Sequence, residues 1–301
     1  MPSGLRLHER GAWGVEIVDL VRAACGGLLF GIPLLYTVEM WWIGEHTSSV
    51  QTLVVLGLIF VPVLVLNRTG GFRSTKDVRL GDAVKDTVEA VALGVILVTG
   101  VLVLLREIRP DTPLRVGLAK VVYESLPFCL GIGVATHFLS GGRTDDDERD
   151  DDERDDEGGD GGDDEGGGDS GVNPTVADIG ASVIGAVFVA FNIAPTDEIP
   201  MIHAQVSAVW LLGFVAVSLL ASYGIVFVAG FTDQGGRHAQ SGPLQHPMTE
   251  TILSYVVALV CAGLMLVLFQ RAEGPWQTTL GRVVVLGLPA AIGGAAGRLA
   301  V

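Results

Sequence analysis

Three carboxylates stand where two apolar runs are interrupted by proline. In residues 27–42, Gly31 and Pro33 precede Tyr36, Thr37 and Glu39, and Trp41 and Trp42 follow. In residues 188–203, Asn192 and Pro195 precede Thr196, Asp197 and Glu198, and Pro200 follows. Proline lacks an N–H and clashes with the preceding turn, so Pro33 frees a carbonyl near Leu29. Pro195 and Pro200 bracket Thr196–Glu198 and disfavour a long regular helix there. Carboxylates beside neutral oxygen donors and freed carbonyls suit a hard cation or a proton. Glu39, Asp197 and Glu198 are the charged candidates, and Asn192, Tyr36 and Thr196 the neutral ones. Acids inside hydrocarbon are costly and therefore functional candidates by default. The competing reading places these acids at solvated helix ends, where a carboxylate also caps the positive N-terminus of the next helix.

The other charges in apolar runs are fewer. Lys120 and Glu124 are four apart and predict an ion pair along one helix face. Arg282 has no acid nearby in its own run, so it either reaches the surface or pairs with another segment, with Glu39 or Asp197 as partners. His137 and His203 are single histidines near the ends of runs and read as interfacial residues. Leu-Pro steps at Pro127 and Pro289 add two more expected helix breaks to Gly31, Pro33, Pro195 and Pro200. Enzyme signatures such as HExxH, GxSxG and the phosphate-loop GxxxxGK do not occur, nor does a Cys or His metal spacing. The expectation is a chain that is not an enzyme and holds no metal or cofactor.

The elements that must carry these residues are membrane spans. The chain has 301 residues, 49% of them hydrophobic and 18% charged, yet its net charge is −15. Residues 145–169 hold 16 acids and two arginines, a net −14, so the remainder is nearly neutral and very apolar. This excludes a soluble enzyme and a basic nucleic-acid binder. Three cysteines, all in apolar runs, also exclude a disulfide-stapled secreted domain. A bilayer core needs roughly 20 apolar residues per helical span. Eight windows qualify, at about 21–42, 50–66, 87–106, 116–139, 176–195, 204–230, 251–270 and 279–299. None shows the alternation of barrel strands. The N-terminal segment has no cleavable apolar core, so the first span is expected to be retained.

The two sides of the acidic stretch resemble each other. Leu118–Gly131 aligned on Leu280–Gly293 gives six identities in 14 positions, with the Leu-Pro step shared and Lys120 falling on Arg282. Gly27 and Phe30 match Gly185 and Phe188, and the same alignment sets Asp197 on Glu39. The fold expected is all-α and polytopic, about eight transmembrane helices in two tandem four-helix repeats of parallel orientation. Residues 1–143 form the first repeat, 144–170 an acidic Asp/Glu/Gly linker and 171–301 the second repeat. The linker composition predicts disorder and resembles that of proteins from salt-rich cytoplasm. With the N-terminus inside, 13 Lys and Arg fall on the inner side and six on the outer. Both termini and the linker are then cytoplasmic, in a multipass protein of the cell membrane. Gly27 with Gly31 and Gly293 with Gly297 form GxxxG pairs suited to close helix packing.

At Phe30-Gly-Ile-Pro-Leu-Leu-Tyr-Thr-Val-Glu-Met-Trp41 and Phe191-Asn-Ile-Ala-Pro-Thr-Asp-Glu-Ile-Pro200 the chain resembles a prokaryotic family of integral membrane proteins of unknown function. The likeness covers nearly the whole chain except the acidic stretch and implies a multipass fold, without an activity. The functional expectation from the residues is an ion- or proton-coupled transporter or channel with an acidic site between the repeats. Its partners are the lipid bilayer and cations or protons, with a homo-oligomer compatible. The alternative is a non-transporting membrane scaffold or accessory subunit.

Overall fold

The computed structural model describes residues 4–69, 80–137, 174–229, 231 and 246–299. The acidic stretch and the boundaries drawn at 143 and 171 lie outside the described residues. Those described form an all-helical bundle. In chain order the helices are α1 (Gly4–Leu35), α2 (Val38–His46), α3 (Ser49–Thr69), α4 (Leu80–Leu104), α5 (Leu114–His137), α6 (Pro174–Ile193), α7 (Glu198–Gln205), α8 (Ala208–Tyr223), α9 (Pro247–Leu268) and α10 (Trp276–Arg298). A π-helical turn, Gly224–Val228, continues α8. Among the described residues seven helices are long and apolar enough to cross a membrane, and the bent pair Asp178–Ile193 and Glu198–Gln205 makes an eighth if counted as one span. That pair bends by 88°.

Each half runs long helix, short helix, then three further long helices. Several local devices recur. Thr37 donates to the Leu34 carbonyl at 2.8 Å, and Thr196 donates to the Ile193 carbonyl at 2.7 Å. Ser48 and Ser207 accept from the N–H groups of Gln51 and Trp210 as α3 and α8 begin. Arg106 and Gln270, the two non-glycine residues of positive φ among those described, end α4 and α9 with φ of 66° and 58°. A left-handed residue after a helix lets the chain turn back while it satisfies the last carbonyls.

The centre of each half is a close helix crossing. Gly131 of α5 lies against the Gly26 carbonyl of α1, and Gly293 of α10 against the Gly185 carbonyl of α6. A Cβ at either glycine would strike backbone, which explains why only glycine fits. The crossing therefore uses Gly26 in place of the expected Gly27, whereas Gly31 faces the Phe128 ring. Gly297, the other expected member, lies against the Ala181 carbonyl of α6. The helices α5 and α10 are the most deeply packed, and α3 is the least. Val50, Leu53, Val54, Leu58, Val61 and Val65 of α3 all point outward. Such a face is at home in hydrocarbon, where the bundle exterior is as apolar as its interior.

Most of the expected proline breaks are absent, and this corrects the sequence reading. Gly31 and Pro33 lie inside α1, Pro127 inside α5 and Pro289 inside α10. Pro200 lies in the first turn of α7, where its missing N–H has no intrahelical partner to lose. Only Pro195 falls at a real interruption, between α6 and α7. The first run breaks instead at Tyr36-Thr37, where Thr37 is extended with φ −142° and ψ 98°. The reason is that a buried helix survives proline when neighbours satisfy the freed carbonyl. Pro289 shows this directly. It cannot donate to Val285, and the Val285 carbonyl instead accepts from the Tyr36 hydroxyl at 3.1 Å.

That bond also joins the halves. Other bonds across the seam run from Arg22 Nε to the Ala229 carbonyl at 2.6 Å and from Trp210 Nε1 to the Leu104 carbonyl at 2.7 Å. The Val38 N–H donates to Glu198 Oε1 at 3.1 Å.

Candidate functional site

Glu198 opens α7 just after the Pro195 interruption, and α2 opens at Val38 just after the Thr37 turn. The first N–H groups of a helix lack intrahelical acceptors and carry partial positive charge. The carboxylate of Glu198 meets one of them, Val38 N–H, and is itself only 5% exposed. It also sits in the first turn of its own helix. Two short helices thus begin at one buried acid on the seam between the halves. Its Oε1 is engaged, while Oε2 is buried without a hydrogen-bond partner among the described residues. Tyr36, two residues before Val38, is also buried and commits its hydroxyl to Val285.

The structure gathers Glu198 and Tyr36 at the seam and leaves the other four candidates elsewhere. Glu39 is exposed on the first turn of α2. Asp197 is exposed and pairs with Arg271 Nη1 at 2.8 Å, while Arg271 Nη2 donates to the Pro195 carbonyl at 2.6 Å. Asn192 is exposed and donates to the Phe188 carbonyl. Thr196 is committed to Ile193. The paired threonine and serine bonds also shift the alignment of the two runs by one residue. Glu39 corresponds to Glu198, where the sequence alignment set it on Asp197. The two glutamates differ in burial.

Beside this node, on the face that carries α2 and α7, opens a cavity of about 630 Å³. Trp41 and Met201 belong to its wall and stand one helical turn beyond Val38 and Glu198. The Trp41 indole N–H donates to the Leu35 carbonyl at 3.1 Å, which fixes the ring across the α1–α2 turn. Lys120 reaches the same cavity from α5. It is 3% exposed, and its Nζ pairs with Glu45 Oε1 at 2.8 Å and Glu107 Oε2 at 3.0 Å. Glu107 Oε1 accepts from Gln205 Nε2 at 3.3 Å, and Gln205 Oε1 accepts from Arg109 Nη2. One network therefore ties α2, α5, the α4–α5 loop and α7. The arrangement can attract ions of either sign to the cavity mouth while its buried members remain paired.

Two expected pairings are corrected here. Lys120 does not pair with Glu124, because the acids of α2 and the α4–α5 loop reach its ammonium. Glu124 is 1% exposed, and its Oε1 has no hydrogen-bond partner among the described residues. Arg282 pairs with neither Glu39 nor Asp197. Its Nη1 donates to the Arg271 carbonyl at 2.8 Å, and Arg271 itself takes Asp197. The physical cause is the left-handed turn at Gln270, which presents the next carbonyl to α10. The turn at Arg106 places Glu107 before Lys120 in the same way.

Residues that sequence reasoning passed over are Glu45 and Glu107, whose importance depends on Lys120. The usable signal was Gly44, since a Cβ there would meet Lys120. A second cavity, of about 590 Å³, lies toward the opposite face and is lined in part by Glu16, Asp19, Asp86, Glu89 and Asn67. In the second half the acids Asp178 and Glu250 instead engage Arg298. Among the described residues no group of three or more His, Cys, Asp or Glu could hold a metal ion, and the three cysteines are free and buried.

The multipass bundle has a counterpart among known families. A family model described as putative integral membrane protein (DUF2391) matches residues 19–301. The chain belongs to that family. No curated protein and no solved structure matches the chain. The match includes every residue of the seam and of the cavity beside α2 and α7 described above. The apolar exterior and the crossing helices agree with an integral membrane protein.

Proposed function

We propose that the chain is an ion- or proton-coupled transporter or channel of the cell membrane, and not an enzyme. Its charged site is Glu198, with Tyr36 beside it. The observation that carries this reading is the buried Glu198 carboxylate, held by one oxygen on the start of α2 and, among the described residues, unpartnered at the other. Interrupted helices whose N-termini point at an anionic group recur in transporter binding sites. The neighbouring cavity supports access from one face, with exposed Glu39 and Asp197 as outer cation attractors. The matched order of five helices in each half supports an ancestral duplication, with the repeats pointing the same way. The excess of Lys and Arg on the side of the termini supports a cytoplasmic location for both. The bilayer is the first partner, and cations or protons are the cargo.

A second reading, a membrane scaffold or accessory subunit, draws on the Val38–Glu198 bond itself. In that reading Glu198 is only a cap that locks the halves together. Flux into liposomes containing the purified chain separates the two. Transport predicts ion or proton flux above that of empty liposomes and a loss in Glu198→Gln. Flux indistinguishable from empty liposomes across a cation panel and a proton gradient supports the scaffold instead.

A further inference from the structure

Glu124 is a buried acid that the proposed seam site does not use. It lies in α5 between two contacts that fix its depth: Lys120 against Gly44 of α2 and Phe128 against Gly31 of α1. One turn from each, it stands level with the Tyr36-Thr37 interruption, inside the first half. Packing does not demand a carboxyl there. The aligned Leu-Pro steps and the paired Gly131 and Gly293 crossings make Leu286 its equivalent, and Leu286 is fully buried in the second half. An apolar side chain therefore fills the same place in the same architecture. A polar group buried without a hydrogen bond is costly, and a charged one far more so.

No described charged group pairs with Glu124 Oε1. Lys120, one turn away, is about 6 Å along the helix axis and is already engaged by Glu45 and Glu107. The α4–α5 loop brings Arg106, Glu107, Arg109 and Asp111 to the cavity that Lys120 reaches. On α2, Glu39, Glu45 and His46 are exposed, and Tyr36 is committed to Val285. The described charged side chains of α1 and α4, namely Glu16, Asp19, Arg22, Lys85, Asp86 and Glu89, lie toward their opposite ends. On α3 no charged residue occurs between Ser49 and Asn67. A hard cation requires several oxygen ligands, and no metal-binding group of His, Cys, Asp or Glu exists among the described residues. A proton needs one oxygen.

We propose that Glu124 is a proton-binding carboxyl that exchanges one proton with water in the 630 Å³ cavity, past Lys120 and Glu107. On uptake an O–H bond forms at the carboxylate with a proton from that water, and the same bond breaks on release. The test is infrared spectroscopy of the full chain in lipid nanodiscs. The wild-type-minus-Glu124→Gln spectrum is expected to contain a protonated-acid carbonyl band that shifts in D2O and gives way to carboxylate bands as pH rises. Glu124→Leu, which copies the second half, should lose the same band and keep the helical signal. Glu198→Gln should retain it. The proposal is overturned if both Glu124 variants keep the band, if no such band exists, or if the band neither titrates nor exchanges. The readout is at equilibrium, so an absence of flux would reject the transport reading without touching this one.

Discussion

Replacing Tyr36 by Phe removes one hydroxyl and leaves the Val285 carbonyl without its donor. That carbonyl lies in a buried segment and cannot turn to the helix, because Pro289 lacks the N–H that would reach it. An orphaned buried acceptor costs about 1–3 kcal/mol, although bonds inside membrane proteins average nearer 0.6 kcal/mol. We therefore expect Tyr36→Phe to destabilise the protein by roughly 1–2 kcal/mol. The informative experiment is a double-mutant cycle with Pro289→Ala. Alanine restores an intrahelical donor for Val285, so Tyr36→Phe in that background should cost at most a few tenths of a kcal/mol. Reversible unfolding in bicelles measures all four corners. Additive effects, with Tyr36→Phe equally costly in the Pro289→Ala background and in the wild type, would refute the idea that Tyr36 compensates for proline.

Gly131→Leu and Gly293→Leu should each force a helix crossing apart and destabilise by about 3 kcal/mol or more, since overpacking against backbone cannot relax through side chains. Thermal unfolding in detergent reads this, and a change below about 0.5 kcal/mol would contradict the crossing. Lys120→Met should cost about 1–3 kcal/mol because it leaves the half-buried Glu107 with Gln205 as its remaining partner, and adding Glu107→Gln should recover part of that loss. Asp197→Asn should change stability by less than about 1 kcal/mol, because Asp197 is 74% exposed and its pair with Arg271 is screened by water. A large loss in that variant would show Asp197 to be more than a surface partner.

The sequence exposed the multipass class because long apolar runs have few other fates, and all eight windows overlap observed helices. It also located the α6–α7 interruption, where Pro195 coincides with a short polar run. The first interruption was misplaced toward Gly31 and Pro33. Within a bundle the consequence of a proline depends on who takes the freed carbonyl, and for Pro289 that donor lies 249 residues from Val285 in sequence. Ion-pair partners were hidden for the same reason. The spacing of Lys120 and Glu124 is local, but the winning acids arrive on α2 and on a loop turned by Arg106. At the site, residue types named Glu39 and Glu198 alike, and only the packing around each leaves Glu198 buried and Glu39 exposed. The two glutamates each lie in the first turn of a short helix and differ in what packs over them.

Three of the bonds across the seam end on peptide carbonyls: Tyr36 on Val285, Arg22 on Ala229 and Trp210 on Leu104. Every amino acid supplies that oxygen. Evolutionary constraint from these bonds therefore falls on one party alone. The donors must stay Tyr, Arg and Trp, whereas positions 285, 229 and 104 are free to drift among apolar types. Such contacts leave no paired substitutions behind, so methods that infer proximity from correlated change would miss these three bonds and register only side-chain pairs such as Gln205 with Glu107.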